Sequence, residues 1–211
     1  MAIMDHPTIK WFNENPDIQS DNMDLIDVDY KKLKEIARKA GADDCGIADI
    51  CSVDLEDEKE VIVALYPKTK ALISIVISLN RENVRCVSRA VSDLEFMQGF
   101  ERTNTVARKL AALLKTHGIN VLYPSAGFPM NVSQWPGKMW SVSHKIVAVA
   151  AGMGHLGHNR LLNHPDFGNF IVLGTLLIDR SVTTYDTPLD YNPCIKCGLC
   201  VSVCPVGAIA A

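Results

Sequence analysis

The chain has 211 residues, 48% hydrophobic and 21% charged, enough to bury one substantial core but not two ordinary domains with linkers. Its formal charge of −3 and isoelectric point near 6.1 give no long-range attraction to phosphate polymers, so nucleic acid is not expected as a partner. No window approaches the roughly 18 to 20 uninterrupted apolar residues of a membrane span, and no secretion or twin-arginine signal opens the chain, so we expect a cytoplasmic protein that binds no membrane.

Residues 1–28 are polar and are predicted to form an N-terminal arm that must dock on the rest of the protein to be ordered. A helix is predicted from Asp29, because apolar residues recur at helical spacing as far as Ala40 and Gly41 follows as a stop signal. A short strand is predicted next, over residues 45–48.

The rest of the core alternates strands with helices. The β-branched run at 71–79 is typical of a strand buried on both faces. Helices are predicted at 96–117 and 142–151, strands at 119–123 and 169–179, and a long functional loop at 124–140. The sequence therefore predicts an α/β (α+β) layered core over residues 29–180.

Four cysteines near the C-terminus are closely spaced: Cys194, Cys197, Cys200 and Cys204. Their pattern, C-x2-C-x2-C-x3-C-P, is that of bacterial ferredoxins, in which thiolates surround a [4Fe–4S] cluster. Structural zinc is the alternative, but zinc sites usually use two separated C-x2-C pairs. We therefore predict that residues 181–211 form a small ferredoxin-like segment that binds a cluster.

Local features of this segment support the same prediction. Gly198 is expected to let the backbone approach the cluster, and Pro205 to turn the chain into a short helix at 206–209. Cys204 either completes this single cluster or, as in two-cluster ferredoxins, ligates another. The end at Ala211, soon after the motif, suggests a shortened chain.

The remaining cysteines and a histidine pair are weaker ligand candidates. Cys45, Cys51 and Cys86 stand apart from one another and are interpreted as core or inert thiols rather than disulfides or ligands. His155 and His158 are three residues apart, yet a third metal ligand is not evident nearby. Turn positions in solvent, or contacts to a bound cofactor, explain this pair better.

The segment AAGMGHLGHNRLLNHPDFGNFIVLGTLLID, at residues 150–179, precedes the cysteines. Its glycine-rich turn, leucine-rich stretch and glycine-containing strand resemble those of the cobalamin-dependent reductases, the family of epoxyqueuosine reductase and the reductive dehalogenases. Weaker likeness extends to GADDCGIAD, ALISIVISLN and VSR earlier in the chain. The resemblance covers most of the chain from about Asp29.

The resemblance implies a nitroreductase-like core and a cobalamin held between that core and the cluster. Residues 152–159 and 169–174 would then line the corrinoid. The implied cofactor-binding residues are Gly152, Gly154, Gly157, His158, Asn159 and Gly174.

The sequence also departs from the family. Epoxyqueuosine reductases carry an aspartate as proposed proton donor, whereas residues 122–127 here read LYPSAG and contain no acid. His158 replaces the basic residue after the glycine turn. These changes argue against epoxyqueuosine reduction as such, and the missing twin-arginine signal separates the chain from most reductive dehalogenases.

Three residues that flank the predicted loop are possible proton donors: Tyr123, His144 and Lys145. Each also has a purely structural interpretation, Tyr123 as the cap of a core strand and the other two as the solvated start of a helix. The leading hypothesis is an iron–sulfur oxidoreductase that passes electrons from a donor such as ferredoxin or flavodoxin to a cobalamin-type cofactor and a small-molecule substrate. The alternatives are a ferredoxin-like electron carrier without its own catalysis and a reductase that binds FMN.

Overall fold

The computed structural model describes residues 5–14, 28–127 and 141–209. Parts of the predicted arm and most of the predicted loop at 124–140 lie outside these residues. The helices are α1 Pro7–Glu14, α2 Tyr30–Ala40, α3 Glu56–Leu65, α4 Arg81–Arg85, α5 Arg89–Lys115, α6 His144–Ala150 and α7 Leu199–Ser202. The strands are β1 Asp44–Asp49, β2 Ala71–Ser78, β3 Val121–Leu122, β4 His155–Leu156, β5 Leu162–Asn163 and β6 Ile171–Ile178.

The main sheet has the order β1-β2-β6-β3, and its neighbouring strands are antiparallel. Strand β2 lies between β1 and β6, and Ile75 is opposite both Cys45 and Gly174. The first seven residues of β2 are buried, as its β-branched apolar run predicts for a strand covered on both faces. A separate hairpin pairs β4 with β5.

Helices cover both faces of this sheet. Helices α2 and α5 pack on the face that carries Ile73 and Ile75, whereas α6 packs on the face that carries Leu72 and Val76. Successive strand residues point to opposite faces, so β2 contributes buried side chains to the hydrophobic core on both faces of the sheet. Each large side chain buried in this way contributes about 1.5–3 kcal/mol. The predicted mixed α and β layered fold is confirmed.

Helix α2 begins and ends where the sequence predicts. The Asp29 side chain accepts a hydrogen bond from the Lys32 N–H at 2.8 Å, which satisfies one of the free amides of the first turn. Gly41 closes the helix at φ +114°, and its N–H bonds to carbonyls of the last turn. The predicted strand at 45–48 is confirmed as part of β1.

Other boundaries differ from the predictions. Helix α5 begins at Arg89 rather than at residue 96, and β3 is only two residues long. Helices α3 and α4 were not predicted from the sequence, because α3 buries only Ile62 and α4 has no buried residue, so neither carries a strong apolar stripe. The short helix predicted at 206–209 is wrong; a helix instead occupies Leu199–Ser202, between the cysteines.

The connector before the cysteines is attached to the core partly by one carboxylate. Asp186 accepts hydrogen bonds from the Tyr30 hydroxyl, from Lys34 Nζ at 3.0 Å and from the Ile47 N–H at 2.8 Å. Val28 and Val182 form a parallel bridge nearby. The division at residue 180 stays a prediction, but the connector after it is bonded to α2 and β1.

Candidate functional site

The cysteine segment is a series of tight turns around helix α7. Cys194 and Cys197 precede the helix, Cys200 lies in it and Cys204 follows it. Lys196 at φ +57° and Gly198 at φ +67° have left-handed backbone conformations and turn the chain between Cys194 and Cys200. A Cβ at Gly198 would meet no atom within 4 Å, so the backbone conformation, not close packing, requires glycine there.

Backbone amides point at two of the four sulfurs. The His158 N–H donates to Cys194 Sγ at 3.3 Å, and the Ala208 N–H donates to Cys204 Sγ at 3.3 Å. Amides of Val206, Ala208 and Ile209 lower the pKa of the Cys204 thiol, because they stabilise the thiolate. Thiolates that accept amide hydrogen bonds are the ligands that iron–sulfur clusters use, so this donor set fits a [4Fe–4S] cluster.

The four thiols are not arranged as a site for a single metal ion. Across residues 5–14, 28–127 and 141–209, no group of three His, Cys, Asp or Glu residues has an arrangement that could hold a metal ion. Metal binding and local folding are coupled, since the ion supplies the attraction that brings ligands together. The ligand role of the four cysteines therefore stays a prediction.

The other cysteines have different surroundings. Cys45 is buried in the core, and burial raises the pKa of its thiol to about 11. Cys51 is exposed beside Lys59 Nζ at 3.7 Å, and Cys86 is half-buried. Cys45 is thus a core thiol, whereas Cys51 lies outside the core and its interpretation as an inert thiol stays a prediction.

A polar cavity of about 530 Å³ adjoins the cysteine segment. It lies between the β4–β5 hairpin and the segment, so Gly157 and His158 share it with Cys194. Gly157 and His158 belong to the predicted cofactor-binding set. The full lining is His155, Leu156, Gly157, His158, Arg160, Asn192, Cys194, Ala208 and Ile209.

Other members of that set have structural reasons for their identity. Gly174 is buried in β6, where a Cβ would come within 2.9 Å of Ile75 and of Thr103 on α5. Its small size therefore lets α5 pack on the sheet, and its cofactor-binding role stays a prediction. Gly154, at φ +150°, has the Asn163 carbonyl 2.3 Å from where a Cβ would be. Gly152, at φ +68°, is approached by the Thr187 carbonyl in the same way.

A second, mainly apolar cavity of about 330 Å³ lies at the start of α6. The predicted proton donors His144 and Lys145 both line it, whereas Tyr123 does not. Its lining is Phe96, Phe100, Ala126, Ser143, His144, Lys145, Leu161, Leu162, Asn169, Ile171, Val172 and Leu173.

His144 is a buried member of this wall. Its Nδ1 is 2.9 Å from Thr175 Oγ1, and its Nε2 is 3.1 Å from the Ser125 carbonyl. Since a carbonyl only accepts, we assign the ring proton to Nε2. Burial lowers the pKa of His144, so the ring is neutral at pH 7. The interpretation of His144 as a solvated helix start is wrong.

Lys145 and Tyr123 have more exposed positions. Lys145 is exposed, as the solvated-start interpretation expects, and its Nζ donates to the Arg160 carbonyl at 2.9 Å. Tyr123 follows β3 directly and is 38% exposed. Asn159 accepts from the Leu161 N–H at 3.1 Å and so shapes the turn. The catalytic roles of Tyr123, His144 and Lys145 stay predictions.

Sequence reasoning missed several wall residues. Arg160 and Asn192 line the polar cavity, and Phe96 and Phe100 line the apolar one. The phenylalanines lie on α5, far from the glycine turn in sequence, and nothing in their spacing points to a site. For Arg160 a signal existed, because the glycine-rich turn ends on it.

The two cavities meet at one short hairpin. Residues of β4 and the following turn line the polar cavity, while Leu161 and Leu162 line the apolar one. The Lys145–Arg160 hydrogen bond crosses between the two walls. A group bound beside the cysteines would therefore be separated from the apolar cavity only by this hairpin.

Several known proteins are similar to this chain. Residues 187–210 match the 4Fe-4S binding domain. Epoxyqueuosine reductase of Cyclobacterium marinum is 26% identical over 219 residues, which cover 89% of this chain and 66% of that protein. The chain is similar to epoxyqueuosine reductases over most of its length. The resemblance drawn from the sequence is confirmed.

Solved structures show the same fold. An epoxyqueuosine reductase crystallised with an epoxyqueuosine-modified tRNA stem loop is 19% identical, with a TM-score of 0.56 over 85% of this chain and 52% of that one. A reductive dehalogenase whose structure suggests a mechanism for B12-dependent dehalogenation is 18% identical, with a TM-score of 0.65 over 90% of this chain and 27% of that one. This chain thus spans about half or less of these structures.

The comparisons also bear on partners and cofactors. The tRNA stem loop is bound by that structural relative, and the expectation that nucleic acid is not a partner of this chain stays a prediction. None of the relatives reported above is described as a flavoprotein, so the FMN alternative has no support. Among residues 5–14, 28–127 and 141–209, no helix is both long and apolar enough to cross a bilayer.

Proposed function

We propose that the protein is an iron–sulfur reductase that takes electrons from a donor such as ferredoxin or flavodoxin and delivers them to a cobalamin-type cofactor and a small-molecule substrate. The observation that carries the proposal is the β4–β5 hairpin, which lines both the cavity beside Cys194 and the apolar cavity beside His144. Electron entry and substrate binding would then occupy opposite sides of one hairpin.

The four cysteines would hold the [4Fe–4S] cluster, which supplies single electrons at low potential. Their segment is exposed and carries apolar side chains at its surface, among them Ile195 and Val206. A soluble donor can therefore approach the cluster directly. The Asp186 carboxylate fixes the connector to α2 and β1, which keeps the segment against the hairpin.

Cobalamin would be held at the polar cavity, by the backbone of Gly157 and by the side chains of His158 and Arg160. The fit is chemical: the wall combines exposed backbone, two histidines and an arginine, groups that can bind the amides and phosphate of a corrinoid. When bound, cobalamin supplies a strongly reducing metal to the substrate.

The apolar cavity would bind the substrate. Phe96, Phe100 and Leu161 give it an apolar wall, and Ser143, His144 and Lys145 place polar groups at its α6 end. Neutral His144 can orient a substrate through its ring, and the Lys145 ammonium can donate a proton at the rim. His144 contacts Ser125, which lies in the stretch that corresponds to the acid-bearing segment of epoxyqueuosine reductases.

The test begins with anaerobic reconstitution with iron and sulfide, followed by absorption spectra with and without added cobalamin. We expect cluster absorption in the protein alone and a shifted corrinoid spectrum on binding. A cluster without cobalamin binding would instead favour the ferredoxin-like electron carrier, and a bound yellow flavin would favour the FMN reductase. Protein that retains neither iron nor sulfide would overturn the proposal.

A tRNA base is the second candidate substrate. The structural relative bound to a tRNA stem loop favours it, and Arg81 and Arg85 are exposed over the Phe170 ring at 5.4 and 5.2 Å, beside the apolar cavity. Anaerobic turnover with epoxyqueuosine-containing tRNA measures this directly. Cobalt-dependent product with tRNA, but not with small halogenated aromatics, would select it.

A further inference from the structure

Of the hydrogen bonds to cysteine sulfur described above, one crosses from the core to the cysteine segment. Cys194 Sγ accepts from the His158 N–H at 3.3 Å, across 36 positions in sequence. Cys204, by contrast, receives its amide from Ala208, four positions away within its own segment. The first cysteine of the motif therefore accepts a hydrogen bond from the core itself.

The donor amide belongs to a well-fixed turn. The Arg160 N–H bonds to the Gly157 carbonyl at 2.8 Å, and the Gly157 N–H bonds to the Leu161 carbonyl at 2.9 Å. Arg160 is held at φ +62°, in the left-handed region. His158 is the second residue of this turn, and its N–H donates outward from the turn to the sulfur.

We propose that the backbone amide of His158 is an N–H···S donor from the core that sets the reduction potential of the cluster bound through Cys194. The inference rests on the proposed cluster. Reduction adds negative charge that the sulfur ligands share, and an amide donor stabilises that charge, so each such bond raises the potential. The cluster is thereby tuned by the same hairpin that separates it from the substrate cavity.

The test removes the backbone amide hydrogen of residue 158 and keeps the turn at 157–160. Proline has no N–H and is favoured at the second position of a β-turn, and Gly157 before it tolerates the restriction that proline imposes. His158→Pro should lower the midpoint potential of the cluster, measured anaerobically by a redox titration followed by electron paramagnetic resonance. His158→Gln keeps the amide but removes the imidazole, so its potential should equal that of the parent.

Two results would overturn the proposal: equal potentials in His158→Pro and the parent, or an equal shift in His158→Gln, which would assign the effect to the side chain. Iron and sulfide contents, measured on each sample, separate these results from failure of the cluster itself. If the parent holds no cluster, the proposed function fails rather than this inference.

A second measurement tests the proposal even if the His158→Pro variant loses its cluster. Protein labelled with ¹⁵N-histidine should show a ¹⁵N hyperfine coupling to the reduced cluster by pulsed electron paramagnetic resonance, carried through the N–H···S bond. The coupling should vanish in His158→Gln with the same label, although His155 remains. A loaded parent without the coupling, or an undiminished coupling in the variant, would contradict the proposal.

Discussion

Strand β2 and the cysteine segment differ in what holds them in place. Ile73, Ile75 and Ile77 on β2 are at most 1% exposed, whereas Ile195, Leu199 and Val203 around the cysteines are 66–84% exposed. The core is stabilised mainly by burial, as a sheet covered on both faces should be. The cysteine segment buries too little to do the same, so ligands and hydrogen bonds to the core must order it.

Loss of one thiolate should give the largest effect and should be confined to the segment. In Cys197→Ser the iron and sulfide content after anaerobic reconstitution should fall to background, because the cluster loses a ligand. The free energy of unfolding of the apo core should stay within about 0.5 kcal/mol of the parent. Cys51→Ser, at an exposed cysteine outside the motif, is the control and should keep its iron.

Truncation of a core side chain should lower the stability of the protein and leave its iron content unchanged. Ile75→Ala should lower the free energy of unfolding by about 2–5 kcal/mol, measured by denaturant titration, because Ile75 is 0% exposed in the centre of the sheet. Iron loading at low temperature should be unchanged. Val203→Ala, at a side chain 72% exposed, should have a negligible effect. Similar losses in both variants would mean that the two regions do not differ as described.

Asp186 is where the two regions meet, and its replacement should have an intermediate effect. Asp186→Asn weakens bonds from Tyr30, Lys34 and the Ile47 amide at a half-buried position. We expect a loss of about 1–3 kcal/mol of stability, together with faster proteolysis of the connector. Asp190→Asn, at an exposed carboxylate in the same connector, should change neither quantity.

His144 should give the smallest effect, visible only as pH dependence. Burial lowers the pKa of His144 in the folded protein below its ordinary value of 6.5. As the pH falls below 6.5, the unfolded chain therefore binds a proton at His144 before the folded protein does. Stability should therefore fall as the pH falls below 6.5, with a slope of at most about 1.4 kcal/mol per pH unit. His144→Gln should remove this part of the slope in unfolding experiments between pH 7 and 5. A slope that persists unchanged would show that other groups cause it.

The prediction from sequence succeeded where one local signal decides. The cap pair Asp29 and Gly41 bounded α2, and the unbroken apolar run identified β2. It failed for α3 and α4, which have weak apolar stripes, and for the helix expected at 206–209. For the candidate site, the glycine turn was found, but the packing role of Gly174 against Thr103 was missed, since the sequence does not distinguish a glycine needed for packing from one that borders a cofactor.

The sequence by itself determined the cluster motif, the buried strands and the relation to a reductase family, because cysteine spacing and apolar periodicity are local properties of the chain. Only the tertiary structure decided that His144 is buried against Thr175, that the β4–β5 hairpin lies between two cavities, and that the His158 amide meets Cys194. Those contacts join residues 31 and 36 positions apart. Long-range proximity of this kind comes from how the layers pack, and no pattern along the chain records it.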